Sequence, residues 1–429
     1  MKAVILAAGE GTRLRPITSS KPKPLIKICG KPILEHIINS LSYSEITEII
    51  IVTNYKGEAI QQYFKDRKKD KLKISFKKQE KMIGTGNALG ITESMINEDF
   101  ILVYGDLLFS PNALKKIIHI FKTKKPDGVI AVIPVKNPEK YGIIEIEKNQ
   151  KIKRIIEKPD SNSAPSNLAN AGLYIFSKEI FKKIKQLKPS IRGEYELTDA
   201  ISLFIKDGKQ IEAVKISNED WIDIGRPWDL LEANKWILKR LNHKILGTVE
   251  EGVQLIGPVT VAANAKIRSG VYIQGPAFID EGSDIGPNCY IRPYTSIGKN
   301  VRIGNACEIK NTIIMDKTHV GHLSYVGDSI LCENCNLGAG TIIANYRFDA
   351  KSVKMKVQNK IIDSGRRKLG AILGDNVKTG IHSILLPGVK VGNNSWIGVN
   401  YVVERDIPAN TYVFQQQSVK KHDKSTATS

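Results

Sequence analysis

The stretch LAAGEGTRLRP at residues 6–16 follows a short apolar run, AVIL, and contains two glycines, Gly9 and Gly11. Glycine lets a backbone come close to a phosphate because it has no Cβ. A dinucleotide-binding fingerprint requires a third glycine that opens the following helix, and this chain lacks it. Arg13 adds a planar cation suited to phosphate oxygens, and Lys23 follows in KPKPL. We therefore predict a loop that holds the triphosphate of a single nucleotide.

The composition of the 429 residues, 41% hydrophobic and 25% charged, indicates a globular chain of two or three domains. No apolar run has the length of a membrane span, and the N-terminus shows no signal-peptide pattern, so we expect a cytoplasmic protein without a membrane partner. The net charge of +20 is spread along the chain, and basic runs such as KDRKKDKLK (65–73) are interpreted as solvated surface. We expect no nucleic-acid partner, because few aromatic residues interleave with the lysines; the positive field instead attracts phosphorylated small molecules.

Up to about residue 227, β-rich runs alternate with helical patterns. The clearest runs are EIIIVTN (48–54), DFILVYGD (99–106), DGVIAVIPV (127–135) and GLYIFS (172–177). This alternation predicts a doubly wound, Rossmann-like α/β domain at 1–227, with a mostly parallel sheet and helices on both faces. Ligands bind such sheets at the carboxyl ends of the strands. A helix over 228–242 is predicted to form most of a linker, residues 228–247, between this domain and the second half of the chain.

From about residue 250, an apolar residue recurs every six positions. These residues are Leu255, Val261, Ile267, Ile273, Ile279, Ile285, Ile291, Ile297, Ile303 and Ile309, and later Leu373, Thr379, Leu385, Val391, Ile397 and Val403. Small or β-branched residues follow four positions later at Ala265, Val271, Ala277, Ser283, Cys289, Thr295, Val301 and Cys307. One apolar residue per flat face and a small residue at each corner predict a triangular β-solenoid. The pattern resembles the hexapeptide-repeat solenoids, so we predict a left-handed parallel β-helix at 248–415, trimeric as is usual for them, with a flexible tail at 416–429.

The five cysteines, an odd number in a chain expected to be cytosolic, argue against a disulfide framework. CENC, with Cys332 and Cys335, has the spacing of a redox pair or of half a zinc site, but no second CxxC completes a set of four ligands. Cys289, Cys307 and Cys335 fall at the small corner position of the hexads or its equivalent. We therefore interpret these cysteines as packing residues.

Three polar features follow β-rich runs of the first domain. Gln79, followed by Gly84 and Thr85 in QEKMIGTG, has an amide that can read the edge of a base. Asp106 ends ILVYGD, and Asp223 ends an apolar run in WIDIG. Two carboxylates at separate strand ends suit one Mg²⁺, which takes few protein ligands and completes its shell with water and phosphate.

These motifs resemble those of the sugar-1-phosphate nucleotidylyltransferases, and the whole chain is similar to the archaeal bifunctional relatives of GlmU, which add an amino-sugar-1-phosphate acetyltransferase. The family reaction is attack of a sugar phosphate oxygen on the α-phosphate of a nucleoside triphosphate, with release of pyrophosphate. The resemblance implies nucleotide contacts from Leu6, Ala8, Gly9, Gly11, Thr12, Gln79, Gly84 and Thr85, sugar-phosphate contacts from Tyr104, Gly142, Glu157 and Asn170, and catalytic roles for Arg13 and Lys23.

One departure from the family leaves the substrate open. The bacterial enzyme has Asn where this chain has Asp223, and GTAHA where this chain has GTGNA. The WIDIG motif is closer to the glucose-1-phosphate thymidylyl type. UTP and dTTP therefore remain alternatives, as do glucose and N-acetylglucosamine.

The stretch IKNTIIMDKTHVGHLSYVGD (309–328) decides whether the solenoid carries chemistry. We interpret the step from Met315 to Val320 as a shortened hexad, which puts His322 and Tyr325 on an irregular turn. Two further basic residues precede this turn. Arg292 and Lys310 are 18 residues apart, or three hexads, so we expect them to stack on the same side of the prism.

GHLSY also resembles the acetyltransferase motif of the same family, together with EIKN, NLGAGT and NYRFD. The resemblance implies that His322 is the general base for a sugar amine that attacks acetyl-CoA, a task that suits an imidazole. It implies contacts to the amino sugar phosphate or CoA from Arg292, Lys310, Tyr325, Asn336, Asn345, Tyr346 and Lys351. The implied acceptor is glucosamine- or galactosamine-1-phosphate, bound by a homotrimer or a dimer of trimers with sites between subunits.

Residues 347–369 interrupt the hexads with a basic insertion, in which Lys354 and Lys368 are further candidates. We favour a cationic arm, reaching the phosphates of CoA or a neighbouring subunit, over a solvated loop. The chain as a whole is predicted to be a bifunctional enzyme. The alternatives are a nucleotidylyltransferase with a purely structural solenoid, which has no use for His322 or Lys351, and a regulatory binding module, which leaves the phosphate-binding motifs unexplained.

Overall fold

The structure is a computed structural model that describes residues 1–65, 72–160 and 162–416. It divides into two compact units, Met1–Ile237 and Leu238–Ser429. Residues 66–71 of the basic run predicted as solvated surface, and residues 417–429 of the predicted tail, lie outside the described residues. In the described part of the chain, no helix combines the length and the apolar character needed to cross a bilayer.

The first unit is a mixed sheet with helices. Its strands, β1 to β13 in chain order, are Lys2–Ala7, Lys27–Ile28, Lys31–Pro32, Glu48–Thr53, Lys73–Lys78, Phe100–Tyr104, Leu107–Phe109, Gly128–Pro134, Gly142–Ile146, Ile152–Glu157, Leu168–Phe176, Ile211–Lys215 and Trp221–Asp223. Its helices, α1 to α8, are Ile17–Ser20, Ile33–Leu41, Gly57–Lys65, Thr85–Gly90, Pro111–Lys124, Ile180–Ile184, Leu197–Lys206 and Pro227–Leu238. The main sheet has the order β10-β9-β11-β6-β1-β4-β5, and β8 joins β11 to β12.

The central strands are parallel and buried, which explains their unbroken apolar sequences. β1 pairs in parallel with β4 on one side and with β6 on the other, while β11 runs antiparallel to both β6 and β8. Val4, Ile50 and Leu102 of neighbouring strands pack in one core. Because the chain passes from β1 through β4 to β5 and then returns to the other side of β1, a crevice forms at the carboxyl ends of β1 and β6.

Helix α8 is shorter than the sequence indicates. It is fixed at its start by Asp229, whose Oδ2 accepts hydrogen bonds from the backbone N–H groups of Gly225 and Arg226. The helix predicted over 228–242 ends at Leu238. Strand Lys244–Ile245 already pairs in parallel with the next coil of the second unit, which requires an extended backbone. The prediction of a helical linker through residue 247 is therefore wrong in its second half.

The second unit is a parallel β-helix with three flat faces. The first face consists of Lys244–Ile245, Val259–Val261, Ala277–Ile279, Thr295–Ile297, Ile313–Ile314, Ile330–Leu331, Ile372–Leu373 and Lys390–Val391. The second face consists of Thr248–Val249, Lys266–Ile267, Asp284–Ile285, Arg302–Ile303, His319–Val320, Asn336–Leu337, Lys378–Thr379, Trp396–Ile397 and Tyr412–Val413. The third face consists of Gln254–Ile256, Tyr272–Gln274, Tyr290–Ile291, Glu308–Lys310, Tyr325–Gly327, Ile342–Ile343, Ile384–Leu385 and Val402–Val403.

The six-residue period arises because each strand contributes one side chain to the prism axis. Ile273, Ile291 and Ile309 stack in register on the third face and are fully buried. All five cysteines are buried, which agrees with a packing role. The fold class predicted from the sequence, an α/β nucleotidyltransferase domain followed by a left-handed β-helix, is confirmed.

The shortened hexad lies at a different step from the one predicted. Ile314, and not Met315, joins the axial core, so the five-residue step runs from Ile309 to Ile314. The turn that carries His322 is therefore of regular length, and its assignment to an irregular turn is wrong. A second five-residue step follows from Val326 to Leu331. Both short steps occupy the corner between the third and first faces.

The basic insertion forms an ordered β-hairpin. Lys354–Val357 pairs antiparallel with Lys360–Asp363, and the two residues of the turn between them have positive φ. Val353, Met355 and Val357 alternate with exposed lysines and are buried. An amphipathic hairpin of this kind is packed on one side and solvated on the other, so the alternative of a fully solvated loop is wrong.

Candidate active sites

The first site is built where β13 returns beside β7. These two strands pair antiparallel, and the backbone N–H of Ile224 donates to the carbonyl of Asp106 at 3.1 Å. This ladder brings Asp106 and Asp223, which are far apart in the sequence of the first unit, to one edge. The Lys23 ammonium reaches the same edge, with Nζ 2.8 Å from Asp106 Oδ2, and its side chain is only 9% exposed.

The two carboxylates repel each other. Burial raises the pKa of Asp223 well above its usual range, and the Asp106 carboxylate raises it further against the opposing charges of Lys23 and Arg13. Within the described residues, no three His, Cys, Asp or Glu side chains gather in a way that could hold a metal ion. A partly buried carboxylate pair with one ammonium fits a divalent cation that takes two protein ligands and obtains the rest from water and phosphate.

The Gly-rich loop approaches the same edge after β1. Gly11 has a left-handed φ of 69°, and its carbonyl accepts a hydrogen bond from Thr18 Oγ1 at 2.9 Å. A Cβ on Gly9 would meet nothing within 4 Å, so space is open above this residue. The Arg13 guanidinium and Asp223 Oδ2 lie on one side of Gly225, 3.4 and 3.6 Å from the position of a Cβ there. The loop, Arg13 and the carboxylate pair therefore lie together at one edge of the sheet.

The predicted base-binding residues follow β5, whose carboxyl end lies at the same edge as that of β1. Gln79 is buried, and its Nε2 donates to the Gly84 carbonyl at 3.2 Å and to Asn87 Oδ1 at 2.9 Å. Gly84 has φ 111°, and a Cβ there would lie 2.5 Å from the Tyr195 carbonyl oxygen. Thr85 Oγ1 accepts a hydrogen bond from the backbone of Leu197, which ties α4 to α7. Both amide hydrogens of Gln79 are therefore engaged within the fold.

The four predicted sugar-phosphate residues also come together. Glu157 is opposite Gly142 in the β9–β10 ladder, and a Cβ on Gly142 would lie 3.0 Å from Glu157 Oε2 and 3.7 Å from Asn170 Cβ. Asn170 Nδ2 donates to Tyr174 Oη at 2.6 Å, and the Tyr174 and Tyr104 rings are 5.8 Å apart. Burial raises the pKa of Tyr104, so its hydroxyl keeps its proton.

Sequence reasoning missed three polar residues around this pocket. Arg192 pairs with buried Glu196 and has Nη2 3.6 Å from Glu157 Oε1. Burial raises the pKa of Tyr141 to about 12, and the Asp223 carboxylate contributes. Tyr141 directly precedes the predicted sugar-phosphate residue Gly142, and Arg192 and Glu196 begin and end the segment RGEYE.

The second site lies at the corner of the β-helix where the two short hexads stack. Lys310 Nζ is 3.0 Å from Asp328 Oδ2, and Asn345 Nδ2 donates to the same oxygen at 2.6 Å. Asn345 Nδ2 also donates to Tyr325 Oη at 3.1 Å. Asp328 is 4% exposed at its side chain and accepts a further hydrogen bond from Asn311 at 2.7 Å. The structure thus brings together three predicted residues around a carboxylate that was not predicted.

The remaining predicted residues are distributed around this cluster. Arg292 stacks one coil before Lys310, as expected, and donates to Glu308 at 2.8 Å. His322 is exposed at the corner between the second and third faces, with Nδ1 3.1 Å from a Cβ built on Gly304 of the preceding coil. Asn336 is exposed on the second face, away from the third-face cluster. The two residues predicted beyond Asn345, Tyr346 and Lys351, are both exposed.

Asp328, Asn311 and Arg366 are the functional candidates that sequence reasoning missed here. Arg366 comes from the insertion, and its Nη2 lies 3.9 Å from Asp328 Oδ1. Asn311 and Asp328 both adopt positive φ at the two short steps. The five-residue spacing from Val326 to Leu331 was therefore the signal in the sequence that marked this corner.

The fold and the two sites define a chain in which a nucleotide-binding α/β unit precedes a β-helix with its own buried polar cluster. The family model described as "Nucleotidyl transferase" matches residues 2–240, and the one described as "GMPPB C-terminal domain" matches residues 273–386. The structure of a UDP-glucose pyrophosphorylase complexed with UDP-glucose has a TM-score of 0.52 and 29% identity, covering 56% of this chain and 98% of that chain.

Full-length relatives extend the match to both units. The bifunctional protein GlmU of Methanocaldococcus jannaschii is 45% identical over 98% of each chain. A bifunctional sugar-1-phosphate nucleotidylyltransferase/acetyltransferase of Sulfurisphaera tokodaii is 43% identical over 95% of this chain and 98% of the relative. The chain belongs to this family of bifunctional, GlmU-type transferases. The resemblance drawn from the motifs is confirmed, and a bifunctional enzyme is favoured over a monofunctional one with a structural solenoid.

Proposed function

We propose that the chain transfers a nucleotidyl group from UTP or dTTP to a sugar-1-phosphate and, at a second site, acetylates an amino-sugar-1-phosphate with acetyl-CoA. Glucosamine-1-phosphate and galactosamine-1-phosphate are the candidate acceptors. The single observation that carries the first activity is the convergence of Lys23, Arg13 and the Asp106–Asp223 pair beside an open Gly-rich loop. The second activity is carried by the buried cluster around Asp328.

In the first reaction, a phosphate oxygen of the sugar attacks the α-phosphorus, and the bond to pyrophosphate breaks. Such a step needs neutralised charge and in-line positioning more than a nucleophilic side chain. Arg13 and Lys23 supply the fixed positive charge, and Glu157 with Asn170 orients the sugar. Because the Lys23 side chain is nearly buried and held by Asp106, little reorganisation accompanies the reaction.

Mg²⁺ is the cation that this site fits. Asp106 and Asp223 would hold it, since their mutual repulsion is relieved by a divalent ion and both are oxygen ligands. When bound, the ion supplies charge neutralisation for the triphosphate. Together with the Lys23 ammonium, the two carboxylates carry one net negative charge. This charge does not fully neutralise a divalent ion, so the bound ion still attracts phosphate oxygens.

Gln79 supports a particular class of base. Its two amide hydrogens are donated to Gly84 and Asn87, so the Oε1 acceptor is what it offers to a ligand. Uracil and thymine carry a ring N–H that donates to such an acceptor, whereas the corresponding ring nitrogens of cytosine and adenine accept. The Oε1 acceptor of Gln79 therefore supports a base with a ring N–H, which UTP and dTTP carry.

In the second reaction, the amine of the sugar attacks the thioester carbonyl, and the C–S bond to CoA breaks. His322 accepts the proton lost by the amine, and the departing CoA thiolate takes up a proton. Lys310 and Arg292 hold the sugar phosphate, with Tyr325 and Asn345 beside it. Asn336, Tyr346 and Lys351 complete the contacts to sugar and CoA.

A homotrimer formed through the β-helix is part of the proposal. Ile342, Ile384 and Val402 form a column of exposed apolar side chains on the third face, continuous in register. Exposed apolar strips of this kind are typical of protein–protein contacts. We expect light scattering to give three times the chain mass of 47.6 kDa, or six times for a dimer of trimers.

The test measures both products with one preparation. Pyrophosphate release is followed with glucose-1-phosphate and N-acetylglucosamine-1-phosphate against UTP, dTTP, CTP and ATP, and CoA release with the two amino sugar phosphates. The proposal expects pyrophosphate only with UTP or dTTP and CoA with at least one amine. Absence of pyrophosphate with every pair would remove the first activity, and absence of CoA with both amines would remove the second.

A further inference from the structure

Three consecutive cations end the insertion and run directly beside the predicted acetyltransferase residues. Leu369 N donates to the Asn345 carbonyl at 2.9 Å, and Tyr346 forms an antiparallel bridge with Lys368. The segment Arg366–Lys368 is therefore held in register with Asn345 and Tyr346. Its position is set by backbone hydrogen bonds and not by the length of a free loop.

The three cations have different surroundings. Arg366 faces inward, with its side chain 17% exposed, and reaches the buried Asp328. Arg367 instead donates from Nη2 to Tyr346 Oη at 3.3 Å, and Lys368 Nζ lies 6.0 Å from the centroid of the same ring. Among the described residues, no acidic side chain pairs with Arg367 or Lys368, whereas Arg347 nearby is paired to Asp349.

Arg367 and Lys368 place a guanidinium and an ammonium around the Tyr346 side chain, an arrangement that suits a phosphate group. The guanidinium presents parallel N–H donors that match a phosphate, and the ammonium adds a point charge. The tyrosine hydroxyl supplies another hydrogen-bonding group between them. Two positive charges suit a dianion better than a singly charged phosphodiester.

We propose that Arg367 and Lys368 form, with Tyr346, a clamp for a phosphate monoester of one acetyltransferase substrate, and that Arg366 anchors this clamp to Asp328. This inference rests on the proposed acetyltransfer. Two substrates carry a phosphate monoester, namely the amino-sugar-1-phosphate and CoA at its ribose 3′ position. The insertion is thereby a part of the second active site and not a separate structural feature.

The test uses the full-length chain with the double variant Arg367→Gln/Lys368→Gln. Both side chains are exposed, so the fold is expected to persist, and pyrophosphate release serves as the internal check. KM values are measured for glucosamine-1-phosphate, acetyl-CoA and acetyl-3′-dephospho-CoA. The matched control is Lys356→Gln/Lys360→Gln, which removes two exposed charges from the hairpin of the same insertion.

We expect the KM of one monoester to rise about tenfold or more, as loss of charge-assisted hydrogen bonds predicts, with kcat and the control variant nearly unchanged. If the ligand is the 3′-phosphate of CoA, acetyl-3′-dephospho-CoA gives equal KM values for wild type and variant. If it is the sugar phosphate, the KM of glucosamine-1-phosphate rises with either thioester. KM values that all stay within twofold of the control variant would overturn the clamp.

Failure of the proposed acetyltransfer is recognised separately. Wild type would then release no CoA, and calorimetric binding of CoA and of glucosamine-1-phosphate to wild type and to the double variant would decide the clamp alone. Weaker binding of either compound by the variant supports the clamp, and equal binding of both overturns it.

Discussion

Replacing Lys23 with methionine tests how the first site handles charge. The side chain keeps most of its length, but Asp106 loses the ammonium 2.8 Å from its Oδ2, and Arg13 remains as the opposing charge at the carboxylate pair. A hydrogen bond between charged groups contributes about 1.5–3 kcal/mol to stability. Removing one fixed group that stabilises transition-state charge lowers kcat by about 10²–10³-fold. Because Lys23 sits at the carboxylate pair and not among the sugar contacts, the loss is expected in turnover.

The assay for this variant is pyrophosphate release as a function of sugar-1-phosphate concentration. We expect kcat to fall by at least about 100-fold while the KM for the sugar phosphate changes less than about threefold. Lys122→Met is the matched control, since Lys122 pairs with Glu45 at 3.1 Å on the exposed surface. Such pairs contribute about 0–1 kcal/mol. Small and equal effects on kcat and KM for Lys23→Met would refute the assigned role.

Two further perturbations separate ligand contacts from fold requirements. Gly9→Ala should leave the unfolding midpoint unchanged but raise the KM for the nucleotide, because the new Cβ enters the open space above the loop. Gly84→Ala should destabilise the chain, because its Cβ would lie 2.5 Å from the Tyr195 carbonyl oxygen. Similar denaturation midpoints for the two variants would contradict this expectation. Burial raises the pKa of Glu157 above 4.5; the Lys158 charge opposes this shift, and the Glu196 charge adds to it. The folded chain therefore binds this proton more tightly than the unfolded chain does, and it loses stability as the pH rises through the raised pKa. Glu157→Gln should therefore flatten the decrease in urea midpoint between pH 4 and pH 7, and a profile parallel to that of wild type and of the Glu139→Gln control would count against it.

Much of the first site was predictable because strand ends and local motifs determine it. A doubly wound sheet brings the carboxyl ends of parallel strands to one edge, so the positions of Asp106 and the Gly-rich loop after β-rich runs indicated that both belong to the ligand-binding edge. The packing of Arg192 against Glu157 depends on a long-range loop contact, which a sequence pattern does not encode. The donation of Gln79 to Gly84 and Asn87 likewise depends on the fold of the following loop.

At one step of the β-helix, counting hexads does not determine which side chain faces the axis. Three consecutive isoleucine and methionine residues, Ile313 to Met315, fit more than one register, and all three are buried. Burial therefore does not identify which one faces the axis, and the short step was assigned one residue too late. Asp328 was missed for the same reason, because the corner that it occupies exists only in the correct register.

The insertion was predicted to be basic but not to be a hairpin with a buried side. Its alternation over Lys354–Val357 is a strand signal of only four residues, which is short for an assignment from sequence. Whether such a strand packs depends on apolar surface elsewhere in the chain. In this protein, Gly388 meets Val353 of the insertion, a contact between residues distant in sequence.

One chain of this family is expected to carry two independent transferase sites. The most direct measurement is CoA release and pyrophosphate release from the same preparations of wild type and His322→Ala. We predict that wild type releases both products and that the variant keeps pyrophosphate release while losing CoA release. CoA release at the wild-type rate from the variant, or joint loss of both products in a folded variant, would contradict the claim.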